Sequence, residues 1–188
     1  MAHVPLAVAP PRSVPNLSQL WLNHNHAGHD GTVALGAALG AHATPALQEL
    51  DLTRNGVGAA CSALARGLSG VPILRILRLG ANNITEHSAD ELRNALRFTP
   101  QLEVLDLGGN PLGSNGTGAI ARDLGSVVPA LRELNLRYAR LIGAREVFTK
   151  RNDSRQAVSC SDTGTDGLLL CMHLAGGPPL PVRRGSHV

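Results

Sequence analysis

His24, His26, His29 and Asp30 lie within one short stretch, and imidazoles with a carboxylate are donors that zinc or nickel would accept. They do not line one helix face, however, and run from the end of an expected strand through a turn. They are therefore read as polar turn residues, and no metal site is expected. Asn16, Asn83, Asn115 and Asn152 each open an Asn-x-Ser/Thr triplet, the acceptor pattern for N-linked sugar. Residues 1–13 lack the charged start and sustained apolar run of a signal peptide, so these triplets are taken as chance. Cys61, Cys160 and Cys171 show no C-x-x-C spacing and no even framework, which predicts a reducing, cytoplasmic location. There is no phosphate-binding loop, no Ser-His-Asp arrangement in register and no pair of carboxylates on one element. Neither catalysis nor a cofactor is expected.

The elements that position these residues follow from one repeated phrase, Leu-x-x-Leu-x-Leu-x-x-Asn. It begins at Leu17, Leu47, Leu74, Leu102 and Leu131, at intervals of 30, 27, 28 and 29 residues. Leu17, Leu20, Leu22 and Asn25 form the first copy, and Leu47, Leu50, Leu52 and Asn55 the second. Leu74, Leu77, Leu79 and Asn82 form the third, and Leu102, Leu105, Leu107 and Asn110 the fourth. The fifth has Leu131, Leu134 and Leu136 but Ala139 where asparagine is due. Proline precedes each opening leucine by two residues, at 15, 45, 72, 100 and 129. Alternating Leu-x-Leu is the period of a strand with one buried face. Between the phrases, Leu35/Leu39, Leu64/Leu68, Leu92/Leu96 and Ile120/Leu124 keep the i, i+4 spacing of one helix stripe. A small residue (Gly31, Ala60, Ser88 or Gly116) stands four positions before each pair. Each unit is thus one strand and one helix, and units of this length must stack to bury a shared core.

This combined motif resembles the leucine-rich repeat family, in its long, ribonuclease-inhibitor-like form, over residues 14–144. The resemblance implies an α/β fold: a right-handed solenoid, a horseshoe segment with a parallel sheet on its concave side and helices on its convex side. About four full repeats and a partial fifth are expected. Residues 1–13 form a Pro-rich segment placed to shield the first strand's edge, and residues 145–188 a low-complexity tail expected to lack order. Ala139 predicts an exposed or irregular fifth turn at which the repeats end.

Such a fold displays its variable strand positions in rows. One row holds Gln19, Glu49, Ile76, Val104 and Glu133, and the next Trp21, Asp51, Arg78, Asp106 and Asn135. A further row, beyond the strands, runs His24, Arg54, Ala81, Gly109 and Tyr138, beside Asn23, Thr53, Gly80, Gly108 and Arg137. The chain's single Trp and single Tyr both belong to these rows, in a sequence only 2% aromatic. Aromatic and arginine side chains dominate binding hot spots. The expected partner-binding residues are Gln19, Trp21, His24, Glu49, Asp51, Arg54, Arg78, Asp106, Arg137 and Tyr138. Asp51, Arg78 and Asp106 also alternate in sign, so pairing along the sheet is the competing account of them. Gly80, Gly108 and Gly109 predict a shallow centre to the face.

The net charge of +3 comes from scattered Lys and Arg, which argues against nucleic acid; the apolar run Leu168–Ala175 is too short for a membrane span. The reading is a monomeric, non-enzymatic protein-protein interaction module that binds a macromolecular partner on its concave face. It is similar to the repeat regions of NOD-like receptors and of ribonuclease inhibitor. Two alternatives are a small-GTPase regulator, since the Ran GTPase-activating protein has this repeat type, and a truncated fragment without independent function. Asp162-Thr-Gly, a single triplet of the kind aspartic proteases carry in pairs, does not change that reading.

Overall fold

The computed structural model describes residues 13–121 and 124–139, together with the backbone of two strands, Gln156–Asp162 and Leu168–Leu174. Five short strands carry the repeated phrases: β1 (Gln19–Trp21), β2 (Glu49–Asp51), β3 (Ile76–Arg78), β4 (Val104–Asp106) and β5 (Glu133–Asn135). Each pairs with the next in parallel and in register, so that Leu20, Leu50, Leu77, Leu105 and Leu134 form one row. The last four are fully buried, while Leu20, on the first strand in the sheet order, is half-buried. Entry to every strand is set by proline. The carbonyls of Val14, Thr44, Val71, Thr99 and Val128 accept the N–H of the leucine three residues on, at 3.0 to 3.1 Å. Proline's fixed φ suits the second position of such a turn.

Helices lie between the consecutive strands from β1 to β5. The helices are α1 (Gly28–Gly40), α2 (Cys61–Gly67), α3 (Glu86–Leu96), α4 (Gly113–Ala121) and α5 (Leu124–Val127). The helical leucines complete the core, with Leu39, Leu64, Leu68, Leu92, Leu96, Ile120 and Leu124 all buried. The shortest interval, 27 residues, is one residue short between Asn55 and Leu64, a stretch in which the first of two 3-10 turns falls. Helix α2 is flanked by 3-10 turns at Gly58–Ala60 and Leu68–Gly70. A 3-10 turn rises about 2.0 Å per residue against 1.5 Å in an α-helix, so fewer residues span the same length.

Asparagine side chains tie the turns together. Asn82 Oδ1 accepts the N–H groups of Asn55 (2.8 Å) and Val57 (3.3 Å), while its Nδ2 donates to the carbonyls of Leu52 and Gly80. Asn110 does the same one unit later, accepting from Asn82 and Ile84 and donating to Leu79 and Leu107. Asn55 accepts from Ala27 and donates to Leu22, Leu52 and Thr53. Each carboxamide thus satisfies buried backbone groups in its own unit and in the one before.

Ala139 departs from expectation. It is buried, and its carbonyl accepts the Gly113 N–H at 2.8 Å. The fifth turn keeps its backbone pairing because that pairing uses main-chain groups and needs no asparagine side chain. Beyond residue 144, where little order is expected, two strands are described: β6 (Gln156–Asp162) and β7 (Leu168–Leu174). They pair antiparallel with each other, and β7 joins β5 through Asn135 and Cys171. Of the proposed shield at residues 1–13, all but Ser13 lies outside the described residues.

Candidate functional site: the strand face

Side chains alternate along a strand, so the residues either side of each buried central leucine share the opposite face of the sheet. Strand register confirms the two expected rows: Gln19, Glu49, Ile76, Val104 and Glu133, then Trp21, Asp51, Arg78, Asp106 and Asn135. From Glu49 to Asn135 these residues are all half-buried, whereas Gln19 and Trp21 at the first strand are exposed.

The third set differs in kind. His24, Arg54, Ala81, Gly109 and Tyr138 are turn residues with φ of 61°, 56°, 53°, 72° and 58°. This left-handed conformation recurs at one register position in all five turns and suits Gly109 best. Their N–H groups keep the inter-unit ladder going past the strands, His24 to Thr53, Arg54 to Gly80, Ala81 to Gly108 and Gly109 to Arg137. The side chains of His24, Arg54, Arg137 and Tyr138 are exposed at the rim rather than on the pleated surface.

Trp21 and Tyr138 are 61% and 64% exposed, but the structure does not bring them together. Trp21 lies on the first strand and Tyr138 in the turn after the fifth, so four strand spacings, roughly 19 Å, separate them across the sheet alone. A single small ligand cannot touch both.

Charge pairing on the face is diagonal. Arg78 faces Asp51 and Asp106 in register, yet its guanidinium pairs with Glu49. Glu49 also accepts from Gln19 Nε2 at 3.2 Å. Sequence reasoning missed this because it compared residues within one row and not across rows. The aspartates instead serve the backbone: Asp51 Oδ1 accepts the Thr53 N–H (2.9 Å) and Asp106 Oδ1 the Gly108 N–H (2.8 Å). Asn135 Oδ1 repeats the arrangement with the Arg137 N–H at 3.0 Å. Strand-end Asx turns were legible in the Asp-x-Thr and Asp-x-Gly spacing.

Asp106 is the most constrained of these. Burial pushes its carboxyl above the ordinary range; the Gly108 N–H and Arg78 oppose that, while Glu133 and Asp51 reinforce it. Asn135 Nδ2 donates to the same Oδ1 at 2.9 Å. A Cβ on Gly108 would stand 2.9 Å from Asn135 Nδ2 and 3.2 Å from Asp106 Oδ1. Glycine there leaves room for the Asp106–Asn135 pair.

Among the described residues no group of three or more His, Cys, Asp and Glu could hold a metal ion, and no helix is long and apolar enough to cross a membrane.

Parallel in-register strands, alternating helices and a leucine core define the class, and comparison with known proteins agrees. A family model for the leucine-rich repeat matches residues 100–121. The chain is similar to mouse protein NLRC5, 35% identical over 133 residues that make up 69% of this chain and 6% of that protein. It is equally similar to the bovine Tonsoku-like protein, 35% identical over 137 residues, 69% of this chain and 10% of that one. The chain therefore spans a small part of the length of these curated relatives. Together the matches support the leucine-rich-repeat family and, in general terms, a protein-interaction module.

Proposed function

We propose that the chain is a non-enzymatic module that binds a protein partner on the strand face, the concave side in the ribonuclease-inhibitor-like reading. The observation carrying this is the half-buried, in-register surface from Glu49 to Asn135, bounded at the first strand by exposed Trp21. An indole is a rigid, amphipathic anchor whose exposure otherwise wastes apolar area. Gln19, Glu49, Asp51, Arg78 and Asp106 form the surface, while His24, Arg54, Arg137 and Tyr138 contribute from its rim. The cysteine pattern of the sequence is the support for placing the module in the reducing cytoplasm.

The test is affinity capture from native lysate, then titration of the captured partner against wild type, Trp21→Ala and Arg78→Ala. Circular dichroism checks that both variants fold. Loss of about 2 kcal/mol or more in the Trp21 variant is expected of an interface anchor. Unchanged affinity in both removes the strand face as the binding surface.

A further inference from the structure

We propose that the centre of the strand face receives a lysine or arginine side chain from a basic segment of a protein partner. This rests on the strand-face reading above and adds the chemistry of what binds. Ile76 and Val104 are register neighbours and half-buried, so the middle of the first row is aliphatic. Glu49 flanks this pair on one side and Glu133 on the other. Two residues further along the same strands stand Asp51, Arg78 and Asp106, roughly 6.6 Å away at strand spacing.

Cations and carboxylates are unequal here. The two rows hold Glu49, Asp51, Asp106 and Glu133 against Arg78 alone, in a chain whose net charge is +3. Arg78 is engaged by Glu49. Among the described residues no cation lies within ion-pair distance of Asp51, Asp106 or Glu133, although Asp51 and Asp106 each commit one oxygen to a backbone N–H. Burial and neighbouring carboxylates make the ionised Asp106 costly, a cost that an incoming cation relieves. Lysine and arginine match both halves of the surface: the stem covers Ile76 and Val104, and the head reaches the carboxylates. An acidic partner would meet like charge at the same place.

The experiment uses the full chain and three short fluorescent peptides of one length, carrying alternating lysine and arginine, glutamine, or glutamate. Anisotropy is read at low and near-physiological salt. Asp106→Asn with Glu133→Gln removes two charges from the face, and the asparagine keeps a carbonyl acceptor for the Gly108 N–H. Asp90→Asn with Glu91→Gln removes two exposed charges from α3. The basic peptide binds best, and the face variant weakens it roughly tenfold, the scale of a charge-assisted hydrogen bond, while the α3 variant stays within about twofold, the scale of an exposed charge. Equal loss in both variants, or a basic peptide binding no better than the glutamine peptide, overturns the proposal. A captured partner that depends on Trp21 and Arg78 but not on Asp106 and Glu133 overturns it too, and leaves the strand-face reading standing.

Discussion

Cys61 opens α2 with its thiol buried, and burial, aided by the charge of Glu91, pushes its pKa up to about 12. Thiolate is the reactive form, so this cysteine is inert toward oxidants and alkylating agents in the folded protein. The same shift links stability to pH. Above the ordinary thiol value the unfolded chain releases the proton and the folded one retains it, so the unfolded state gains and stability falls as pH rises. The slope is about 1.4 kcal/mol per pH unit up to the folded value. Urea unfolding at pH 8 and 10.5 should show wild type losing about 2 kcal/mol more than Cys61→Ala between those conditions; equal losses would mean that the thiol ionises freely in the fold. Single residues were only partly legible in the sequence. The buried thiol was foreseeable from its place beside the helix's small position. The Arg78–Glu49 pair was not, because its geometry depends on side-chain reach between rows.

At the scale of elements, α1 and α2 approach through backbone rather than side chains. A Cβ on Gly36 would stand 2.5 Å from the Ala63 carbonyl oxygen, one on Gly67 2.3 Å from that of Gly36, and one on Gly70 1.7 Å from that of Leu39. Backbone cannot yield as a flexible side chain can. Gly70→Ala should therefore cost about 3 kcal/mol, as overpacking a close contact does. Gly40→Ala meets only the Gly67 Cα, at an ordinary 3.6 Å, and should be neutral or stabilise by about 0.5 kcal/mol through reduced chain entropy. Thermal or urea unfolding of the two variants separates them; similar costs would contradict the close approach. The strand–helix alternation was readable from the i, i+2 and i, i+4 leucines, since both periods follow from backbone geometry. The one-residue shortening after Asn55 could be counted too, but not the 3-10 turn at Gly58–Ala60 that accompanies it, because its backbone form depends on neighbouring units having to match in length.

For the whole molecule, burial grades from the first unit inward. Leu17, Leu20 and Leu22 are half-buried, while Leu47, Leu50 and Leu52 and their counterparts in the next units are fully enclosed. Leu77→Ala should cost about 3 to 4 kcal/mol, and Leu20→Ala about 1 to 2. Native-state hydrogen exchange should show protection rising from β1 to β3; uniform protection would imply that the first unit is covered. The leucine periodicity gave the row to which each residue belongs, but it could not show where the row ends, because burial depends on what stacks against the outermost unit. The asparagine ladder adds a direction to this architecture. Asn55, Asn82 and Asn110 each reach back to the preceding unit and none reaches forward. Trimming units is consequently not symmetric. Deletion ahead of a given turn costs its asparagine some partners, whereas deletion behind that turn hands two of its amide protons from a fixed carboxamide oxygen to water.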